Sequence, residues 1–393
     1  MSPRVTLKPR HARPFFARHP WVYAGSIDSV SGSPAPGDQV ELVSAEGTFI
    51  AHGLWNPDSL IRARLYSWEP VPLDDAFFRA RIQAALALRQ TLPASRISNA
   101  RRLINSEGDH VSGLTADQFD RWLVVQFTSR ALWKRRAALL QTLLDESGCD
   151  GGIGRFDRTL AKRESVTDAE PFSLGSLPEG PIEIHDTGIS FELVLGSGQK
   201  TGLFLDQAAN RRVVAEFAPG KRVLDLFCYA GGFALHAARA GATEVLGIDS
   251  SNLAVRIAQA NAARNGLDQC VFQTGDVLET LATLAVTAPR FDLVICDPPK
   301  FARAASDLDA ALRAYARLNR AALEVLAPGG ILATCSCSGH VDRGTFIGML
   351  GQVAELARRP IQVLEMRGPA LDHPISVACP ESDYLKCAIC KVA

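Results

Sequence analysis

The sequence has no apolar run long enough to cross a membrane and no excess of charge of either sign. Its hydrophobic stretches end well short of the ~18 residues that a transmembrane helix needs, and the start, MSPRVTLKPRHARPFF, lacks the apolar core of a secretory signal. Basic and acidic residues both number 42, so the overall charge gives no indication of a nucleic-acid partner, and only a local excess of basic residues could do so. We therefore expect a cytoplasmic protein with no membrane partner.

The chain also lacks internal repeats, low-complexity tracts and a paired cysteine framework. Its nine cysteines are odd in number and scattered from Cys149 to Cys390, which favours reduced thiols over disulfides. Cys387 and Cys390 have the spacing of a zinc ligand pair, but no second pair lies near them in the sequence, and on a strand they would point to opposite faces. We interpret both as core residues and predict no metal site.

Turn signals and changes of pattern divide the 393 residues into three predicted domains. Short apolar runs separated by turns from Val22 to Tyr66 are typical of a small β domain, which we assign to residues 1–73. Residues 74–181 combine a helix capped by Asp74 or Asp75, a turn-rich hairpin and the helical stretch ALWKRRAALLQTLLDES. This middle segment is predicted to be a small α+β domain.

Residues 182–393 alternate short apolar strands with helices. The strands are predicted at 223–227, 245–249, 271–276, 293–297 and 331–337, with helices that include 252–265 and 308–326. Strict alternation implies right-handed crossovers and a parallel sheet covered on both faces. The predicted fold class is therefore α/β, a doubly wound domain preceded by the small β and α+β domains.

Several predicted strands end in acidic residues. In open α/β sheets, ligands bind outside the carboxyl ends of the strands, and the acids found there are Asp225, Asp249, Asp276 and Asp297. Gly231 and Gly232 follow the first strand and allow a close approach of the backbone to a ligand, although the G-x-G-x-x-G of a dinucleotide site is missing. Taken singly, each acid is more readily a helix cap or a turn residue.

The motifs DLFCYAGGFAL, GIDSS, TGDV and DPPK, in this order, resemble those of class I S-adenosylmethionine-dependent methyltransferases. With HPWVYAGSI at 19–27, SEGDHVSGLTADQF at 106–119, GQKTGLFLDQAANR at 198–211 and TCSCSG at 334–339, the chain resembles the ribosomal large subunit methyltransferase I family nearly end to end. The resemblance implies an N-terminal PUA domain, a small central domain and a seven-stranded catalytic domain. It also implies methylation of cytosine C5 in 23S rRNA, with S-adenosylmethionine as the cofactor.

The resemblance further implies roles for individual residues. Asp249 would bind the ribose, Asp276 the adenine, and the loop from Asp225 to Gly232 the methionine portion, while GQKTGLFLDQ would close over the cofactor. The residues expected to bind S-adenosylmethionine are Lys200, Thr201, Phe204, Asp206, Gln207, Asp225, Phe227, Cys228, Tyr229, Gly231, Gly232, Asp249, Ser250, Asp276, Val277, Asp297 and Pro298.

The chemistry of carbon methylation points to two cysteines and one acid. Cytosine C5 is a poor nucleophile, so a thiolate must first add at C6, and Cys335 and Cys337 lie where the last predicted strand ends. Cys337 matches the cysteine of the family's SCSG motif and is predicted to be the nucleophile. Apart from the resemblance, both are as readily buried core cysteines. Asp297 of DPP would hydrogen-bond the base and orient it.

Two alternatives stay open. The first is an RNA N-methyltransferase that acts on adenine or guanine, because enzymes that methylate exocyclic nitrogens use a similar tetrapeptide closed by an aromatic residue. Here Lys300 takes the place of that aromatic residue and Phe301 follows it, which favours methylation of carbon. A non-catalytic RNA-binding protein with a methyltransferase shell is the other. Ribosomal RNA or a large-subunit precursor is the expected partner, a homodimer is allowed, and a basic N-terminal cluster ahead of Asp28 could contact phosphates.

Overall fold

The computed structural model describes residues 3–93, 98–196, 203–287, 290–302 and 304–393. The chain forms two compact units, the first of Met1–Ile182, Val194–Gly202 and Leu371–Ser382, and the second of Glu183–Leu193, Leu203–Ala370 and Asp383–Ala393. The predicted domain boundaries after residues 73 and 181 stay a prediction. None of the described helices is both long and apolar enough to span a membrane.

A six-stranded sheet forms the N-terminal part of the first unit. Its elements are β1 (Arg4–Leu7), α1 (Arg13–Phe16), β2 (Trp21–Tyr23), β3 (Ile27–Ser31), β4 (Gln39–Val43), β5 (Phe49–Trp55) and β6 (Ile61–Ser67). The strand order is β2-β6-β5-β4-β1-β3. Because side chains alternate between the two faces of a strand, Val40 and Leu42 lie on the same face of β4, where they form a core with Ile50 of β5. The prediction of a small β domain is confirmed, and the sheet also contains β1, which lies ahead of the predicted strands.

The central part of the first unit is a five-stranded sheet with helices packed on it, in the order β11-β10-β9-β8-β7. Its elements are α2 (Asp75–Thr91), β7 (Ala100–Asn105), β8 (Leu114–Phe119), β9 (Trp122–Phe127), α3 (Arg130–Trp133), α4 (Arg136–Ser147), β10 (Gly151–Phe156), α5 (Arg158–Ala161) and β11 (Phe172–Gly175). Asp74, one of the two caps that the sequence allowed, caps α2 by accepting a hydrogen bond from the Phe77 amide at 2.9 Å. The second predicted helix is interrupted at Lys134 and Arg135, between α3 and α4.

The C-terminal segment 371–382 belongs to the first unit because its backbone and side chains are tied to β7. The Arg102 amide donates to Asp372 Oδ2 at 2.8 Å, and the Asn105 side chain donates to the Pro374 carbonyl at 3.0 Å. The chain thus leaves the second unit after Ala370 and returns to it at Asp383.

The second unit is built on a seven-stranded sheet. Its elements, with a preceding two-stranded ribbon of β12 and β13, are β12 (Ile182–Asp186), β13 (Ile189–Leu193), α6 (Ala208–Ala215), β14 (Arg222–Leu226), α7 (Gly232–Arg239), β15 (Glu244–Asp249), α8 (Asn252–Arg264), β16 (Cys270–Thr274), α9 (Val277–Thr287), β17 (Phe291–Cys296), α10 (Leu308–Val325), β18 (Leu326–Ser336), α11 (Arg343–Ala357), β19 (Ile361–Arg367) and β20 (Lys386–Val392).

The strand order of this sheet is β16-β15-β14-β17-β18-β20-β19, and only β20 runs antiparallel to its neighbours. Helices α9, α10 and α11 cover one face, with Leu281, Tyr315 and Phe346 in the core there. Helix α7 packs on β14 and β15, and α8 packs on β15 and β16. The doubly wound prediction is therefore confirmed. The chain order reverses between β14 and β17, so the crevice at their carboxyl ends is where such sheets bind ligands.

Candidate active site

The loop after β14 is held in an uncommon backbone conformation. Phe227, Tyr229 and Gly231 have φ values of 64°, 48° and 85°, in the left-handed region that costs a non-glycine residue energy. Two hydrogen bonds fix the loop: the Tyr229 amide donates to Asp249 Oδ2 at 2.9 Å, and the Asn261 side chain donates to the Ala230 carbonyl at 3.1 Å. A strained loop with such partners lies at the carboxyl edge of the sheet, as ligand-binding loops do.

Asp225 is a buried carboxyl group with one oxygen unused. Its side chain is 1% exposed, and Oδ2 accepts a hydrogen bond from the Ala234 amide in the first turn of α7 at 2.9 Å. Oδ1 has no hydrogen-bond partner in the part of the chain that the structure describes. Burial, opposed by the Ala234 hydrogen bond and reinforced by the nearby Asp297 and Asp249, raises the pKa of Asp225 to about 8. An unpaired buried acceptor is costly, so a ligand donor or cation there is favourable.

Asp249 ends β15 and is half-buried. Its two oxygens accept hydrogen bonds from main-chain amides, Oδ1 from Ser251 and Oδ2 from Tyr229, both at 2.9 Å. A carboxylate has about four acceptor positions, so both oxygens can accept a further hydrogen bond. Ser250 beside it is exposed. The carboxylate is thus oriented by the loop and can still accept donors such as hydroxyl groups.

Asp276 is a helix cap. It lies two residues beyond the end of β16 and is exposed, and its Oδ1 accepts hydrogen bonds from the Leu278 and Glu279 amides at 2.9 and 3.0 Å. Val277, which begins α9, is buried. The capping alternative therefore describes the contacts of Asp276, and its predicted contact with adenine stays a prediction.

A chain of side-chain hydrogen bonds leads to Asp297, which follows β17. Arg367 Nε donates to Asn210 Oδ1 at 2.8 Å, and Asn210 Nδ2 donates to Gln207 Oε1 at 2.6 Å. Gln207 Nε2 then donates to Asp297 Oδ1 at 3.0 Å. Gln207 and Asn210 are buried, and the buried Pro298 follows the carboxylate. The orientation of the Asp297 side chain is therefore fixed by residues on α6 and β19 as well as by its own strand.

The segment before α6 lies against the loop after β14. The Phe204 and Tyr229 rings meet edge to face with centroids 5.3 Å apart, and Asp206 accepts a hydrogen bond from the Tyr384 hydroxyl at 2.8 Å. Of the residues predicted to bind the cofactor here, Phe204, Asp206 and Gln207 are described. Lys200 and Thr201 lie outside the described residues.

Arg211 connects this segment to the glycine loop, and the sequence analysis assigned it no role. Its guanidinium donates to the Phe204 carbonyl at 2.8 Å and to Asp186 at 2.7 Å, both in the interior. A Cβ atom at Gly232 would lie 3.0 Å from Arg211 Cδ, so a larger residue there would displace the arginine. The signal was present, because Arg211 ends the GQKTGLFLDQAANR motif.

The two candidate cysteines differ in exposure. Cys335 is fully buried on β18, opposite Cys387 on β20. A hydrogen bond with the Cys387 thiol, together with burial, raises the pKa of Cys335 well above its usual value. Cys337 lies just beyond the last residue of β18 and is partly exposed. Cys337 is therefore the more accessible of the two thiols, whereas Cys335 is covered within the sheet.

The turn that carries Cys337 rests on a buried hydroxyl network. Ser336 Oγ and Ser338 Oγ each lie 3.0 Å from the Tyr315 hydroxyl on α10. Ser338 Oγ also accepts a hydrogen bond from the Ala302 amide at 3.1 Å, and the Phe301 ring packs on Tyr315 with centroids 4.7 Å apart. The segment after Asp297 and the turn after β18 are thereby held together.

The zinc-like pair Cys387 and Cys390 divides between the two faces of β20, as the sequence predicted. Cys387 contacts Cys335, and Cys390 belongs to the core under α10 and α11. Both are fully buried, so they serve as core residues.

In the first unit, three side chains with metal-binding atoms meet: His19, Cys379 and Glu381. Their contacts describe a hydrogen-bond chain. The Trp21 amide donates to His19 Nδ1 at 3.2 Å, so the ring proton is on Nε2. Nε2 donates to Glu381 Oε2 at 3.3 Å, and the Cys379 thiol donates to the same oxygen at 3.5 Å. Nε2 then has no lone pair for a metal, and we assign none here. The predicted absence of a metal elsewhere stays a prediction.

The sheet order, the antiparallel β20 and the acids at the carboxyl ends of β14, β15 and β17 define a class I S-adenosylmethionine-dependent methyltransferase. Residues 101–353 match the family described as S-adenosylmethionine-dependent methyltransferase, and residues 5–68 match a PUA-like domain. The crystal structure of SMU.776 complexed with SAH superposes with a TM-score of 0.87 over 100% of both chains, at 21% identity.

Full-length relatives give the family more narrowly. Proteins called ribosomal RNA large subunit methyltransferase I from Shewanella denitrificans and Erwinia tasmaniensis are 38% and 36% identical to the chain, each over 100% of both sequences. The chain therefore belongs to the ribosomal RNA large subunit methyltransferase I family, and its cofactor is S-adenosylmethionine.

Proposed function

We propose that the protein forms 5-methylcytidine in 23S rRNA, with Cys337 as the nucleophile. The observation that carries this proposal is the partly exposed thiol of Cys337 on the turn after β18. Strand β18 lies next to β17, which Asp297 follows. Carbon methylation of cytosine needs such a thiol, whereas methylation of a nitrogen does not. The family name of the full-length relatives supports ribosomal RNA as the substrate, and an rRNA substrate supports action in the cytoplasm.

The loop after β14 fits the methionine portion of S-adenosylmethionine. Once its proton has left to solvent, the Asp225 carboxylate would offer the orphaned Oδ1 as a buried acceptor for the ammonium group. Gly231 and Gly232 leave the backbone without side chains where helix α7 begins. Asp249, oriented by two main-chain amides, would accept the ribose hydroxyls. Phe204 and Tyr229, in contact with each other, would line the same cleft.

When bound, S-adenosylmethionine supplies an electrophilic methyl group. The protein's part is to make cytosine C5 nucleophilic. The Cys337 sulfur forms a bond to C6, the C5–C6 π bond breaks, and its electron pair moves through the ring toward N3. The same electrons return to form the C5–methyl bond, and the methyl–sulfonium bond would break with its electron pair remaining on the sulfur, so that S-adenosylhomocysteine would leave as the neutral thioether. A base then removes the C5 proton, the double bond re-forms, and the sulfur leaves C6 as the thiolate.

Asp297 would orient the base in this reaction. Its Oδ1 accepts a hydrogen bond from the Gln207 amide at 3.0 Å, which restricts the rotation of the carboxyl group. A carboxyl group held in this way can hydrogen-bond N3 or the exocyclic amine and stabilise the ring as electrons reach N3. Pro298 and Pro299 keep the following backbone rigid.

The N-terminal sheet would bind the RNA. Phe16 and Tyr23 are 53% and 43% exposed, which leaves rings available for stacking on unpaired bases. Arg10 and Arg13 are exposed beside them in the sequence and would contact phosphates. A homodimer stays a prediction.

Mass spectrometry of 23S rRNA from cells with and without the gene tests the proposal. We expect one 5-methylcytidine to be lost without the gene and restored by the wild-type protein, but not by the Cys337→Ala variant. Loss of a methylated adenine or guanine instead would support the N-methyltransferase alternative, and an unchanged methylation pattern would contradict both.

A further inference from the structure

Lys386 is a buried lysine at the start of a strand whose other buried residues are apolar. It begins β20, is 0% exposed, and its Nζ donates to the Ser338 carbonyl at 2.7 Å and to the Tyr384 carbonyl at 2.8 Å. Within the described ranges it forms no ion pair with a carboxylate at salt-bridge distance. Lysine is among the residues least often buried without a partner, because the ammonium loses its hydration. A buried lysine held only by carbonyl groups is poorly explained by stability.

The ammonium group lies under the turn that carries Cys337. Lys386 is paired with Ser336 in the β18–β20 ladder, and the carbonyl that it binds belongs to Ser338. Cys337 is the residue between them. Peptide geometry then places Nζ within about 9 Å of the Cys337 Cα, and a thiolate at Cys337 would raise the pKa of Lys386.

We propose that Lys386 stabilises the thiolate form of Cys337 and so prepares it to add to a pyrimidine ring. The inference rests on the proposed function, since it assigns a positioning residue to the same nucleophile. The proton of the Cys337 thiol leaves to solvent, and the fixed positive charge of Lys386 favours the anion that remains. Cations beside cysteine are a general way to increase the thiolate fraction at neutral pH.

The charges around Lys386 are consistent with a cation at neutral pH. Burial lowers the pKa of Lys386 to about 8, while Asp383 and Cys337 raise it and Arg343 and Lys300 lower it. With that pKa, most Lys386 side chains carry their proton at pH 7. Formation of the Cys337 thiolate would favour the protonated lysine further.

The alternative is that Lys386 only holds the turn in place through its hydrogen bonds to Ser338 and Tyr384. The two roles differ in a measurable way. A structural role would change the reactivity of Cys337 by a similar factor at every pH, whereas charge stabilisation sets the pH at which the thiol becomes reactive.

The test is the pH profile of Cys337 alkylation by iodoacetamide, followed by peptide mass spectrometry on the full-length protein. In the wild type, we expect the reactivity of Cys337 to rise at a lower pH than in the same chain unfolded in guanidinium. In Lys386→Met, the profile should move upward by about one pH unit, a roughly tenfold loss of reactivity at pH 7. Lys391→Met, an exposed lysine on the same strand, should leave the profile unchanged.

Cys270 provides an internal reference in the same samples. It is partly exposed, and burial raises its pKa to about 12, so its peptide should stay nearly unmodified at neutral pH. The inference is overturned if Cys337 in Lys386→Met is alkylated with the same pH midpoint as in the wild type, including the case in which its rate is reduced by the same factor at every pH. Because the comparison with the unfolded chain needs no variant, a wild-type midpoint at or above the unfolded one overturns it as well.

These outcomes are separate from those of the proposed function. If Cys337 forms a covalent adduct with its RNA but its alkylation profile does not depend on Lys386, only the inference about Lys386 fails. If no adduct forms on Cys337, the proposed function fails whatever the alkylation profile shows.

Discussion

Cys335 on β18 faces Cys387 on β20 across an antiparallel ladder, and both thiols are fully buried. Because the Cys335 thiol is packed against Cys387 within the sheet, a substrate at the surface cannot contact it. Cys337, two residues later, lies beyond the ladder and is partly exposed. The pairing of Cys335 with Cys387 therefore separates the two cysteines that the sequence alone could not distinguish by position.

The first prediction concerns a covalent complex. Elimination of Cys337 from the methylated base needs loss of the C5 proton, so a fluorine at C5 should block that step. We expect RNA with 5-fluorocytosine at the target to form a denaturant-stable adduct in the presence of S-adenosylmethionine, visible by gel shift. The adduct should be absent in Cys337→Ala and present in Cys335→Ala. An adduct that survives Cys337→Ala and disappears in Cys335→Ala would assign the nucleophile to Cys335.

The second prediction concerns the cofactor. Asp249→Ala removes a carboxylate that would accept hydrogen bonds from the ribose, and each such charge-assisted bond contributes about 1.5–3 kcal/mol. Titration calorimetry should show at least a tenfold weaker affinity for S-adenosylmethionine. Asp268→Ala, at an exposed aspartate of the same unit, is the control and should bind like the wild type. Equal affinity in Asp249→Ala and the control would remove Asp249 from the site.

The third prediction concerns the stability of the cofactor-free protein at different pH values. Because burial raises the pKa of Asp225 to about 8, the native carboxyl group keeps its proton above the pH at which the unfolded chain loses it, near 3.9. The unfolded state then binds fewer protons, so this group lowers stability as the pH rises from about 4 to 8. In Asp225→Asn that dependence is lost, and the variant should gain in Tm relative to the wild type between pH 5 and pH 8.

Thermal unfolding at both pH values measures the effect on Asp225, with Asp268→Asn as the surface control. A difference in Tm between Asp225→Asn and the wild type that is the same at pH 5 and pH 8 would show that Asp225 is ionised in the native protein.

The fourth prediction concerns RNA binding by the N-terminal sheet. Deleting the whole N-terminal sheet would break its contacts with the central part of the first unit, such as the hydrogen bond from the Tyr66 hydroxyl to the Ser112 carbonyl at 2.8 Å. Point substitutions are therefore the better test. Arg10→Gln with Arg13→Gln should weaken RNA binding and reduce the slope of log K against log salt by about 0.7 to 0.9 per lost phosphate contact. Arg163→Gln, exposed elsewhere in the unit, is the matched control. An unchanged slope would exclude both arginines from the RNA interface.

The local sequence pattern predicted the strands that carry the site, because parallel strands buried on both faces are short apolar runs. Asp225, Asp249, Asp276 and Asp297 were predicted in this way, since a polar residue where such a run ends is conspicuous. The structure shows that Asp276 Oδ1 caps α9. A capping residue and a ligand-binding residue can occupy the same place after a strand.

Contacts between distant parts of the chain could not be predicted. The position of β20 between β18 and β19 depends on tertiary order, and only that order brings Lys386 to the turn of Cys337. The clue in the sequence was a lysine within the apolar run YLKCAICKV. Likewise, the return of 371–382 to the first unit depends on side-chain contacts such as that of Asp372 with the Arg102 amide.

The hydrogen-bond chain from Arg367 through Asn210 and Gln207 to Asp297 has a fixed polarity. A side-chain amide can turn over and exchange its oxygen for its nitrogen, but a guanidinium can only donate. Arg367 therefore dictates that each amide presents its oxygen toward β19 and its nitrogen toward β17. The Gly368 carbonyl, which accepts from Asn210 Nδ2 at 3.1 Å, and the Asp297 carboxylate, which only accepts when ionised, favour the same orientation from the other side. Control over the site thus extends to the last residue of an edge strand, beyond any contact with the substrate.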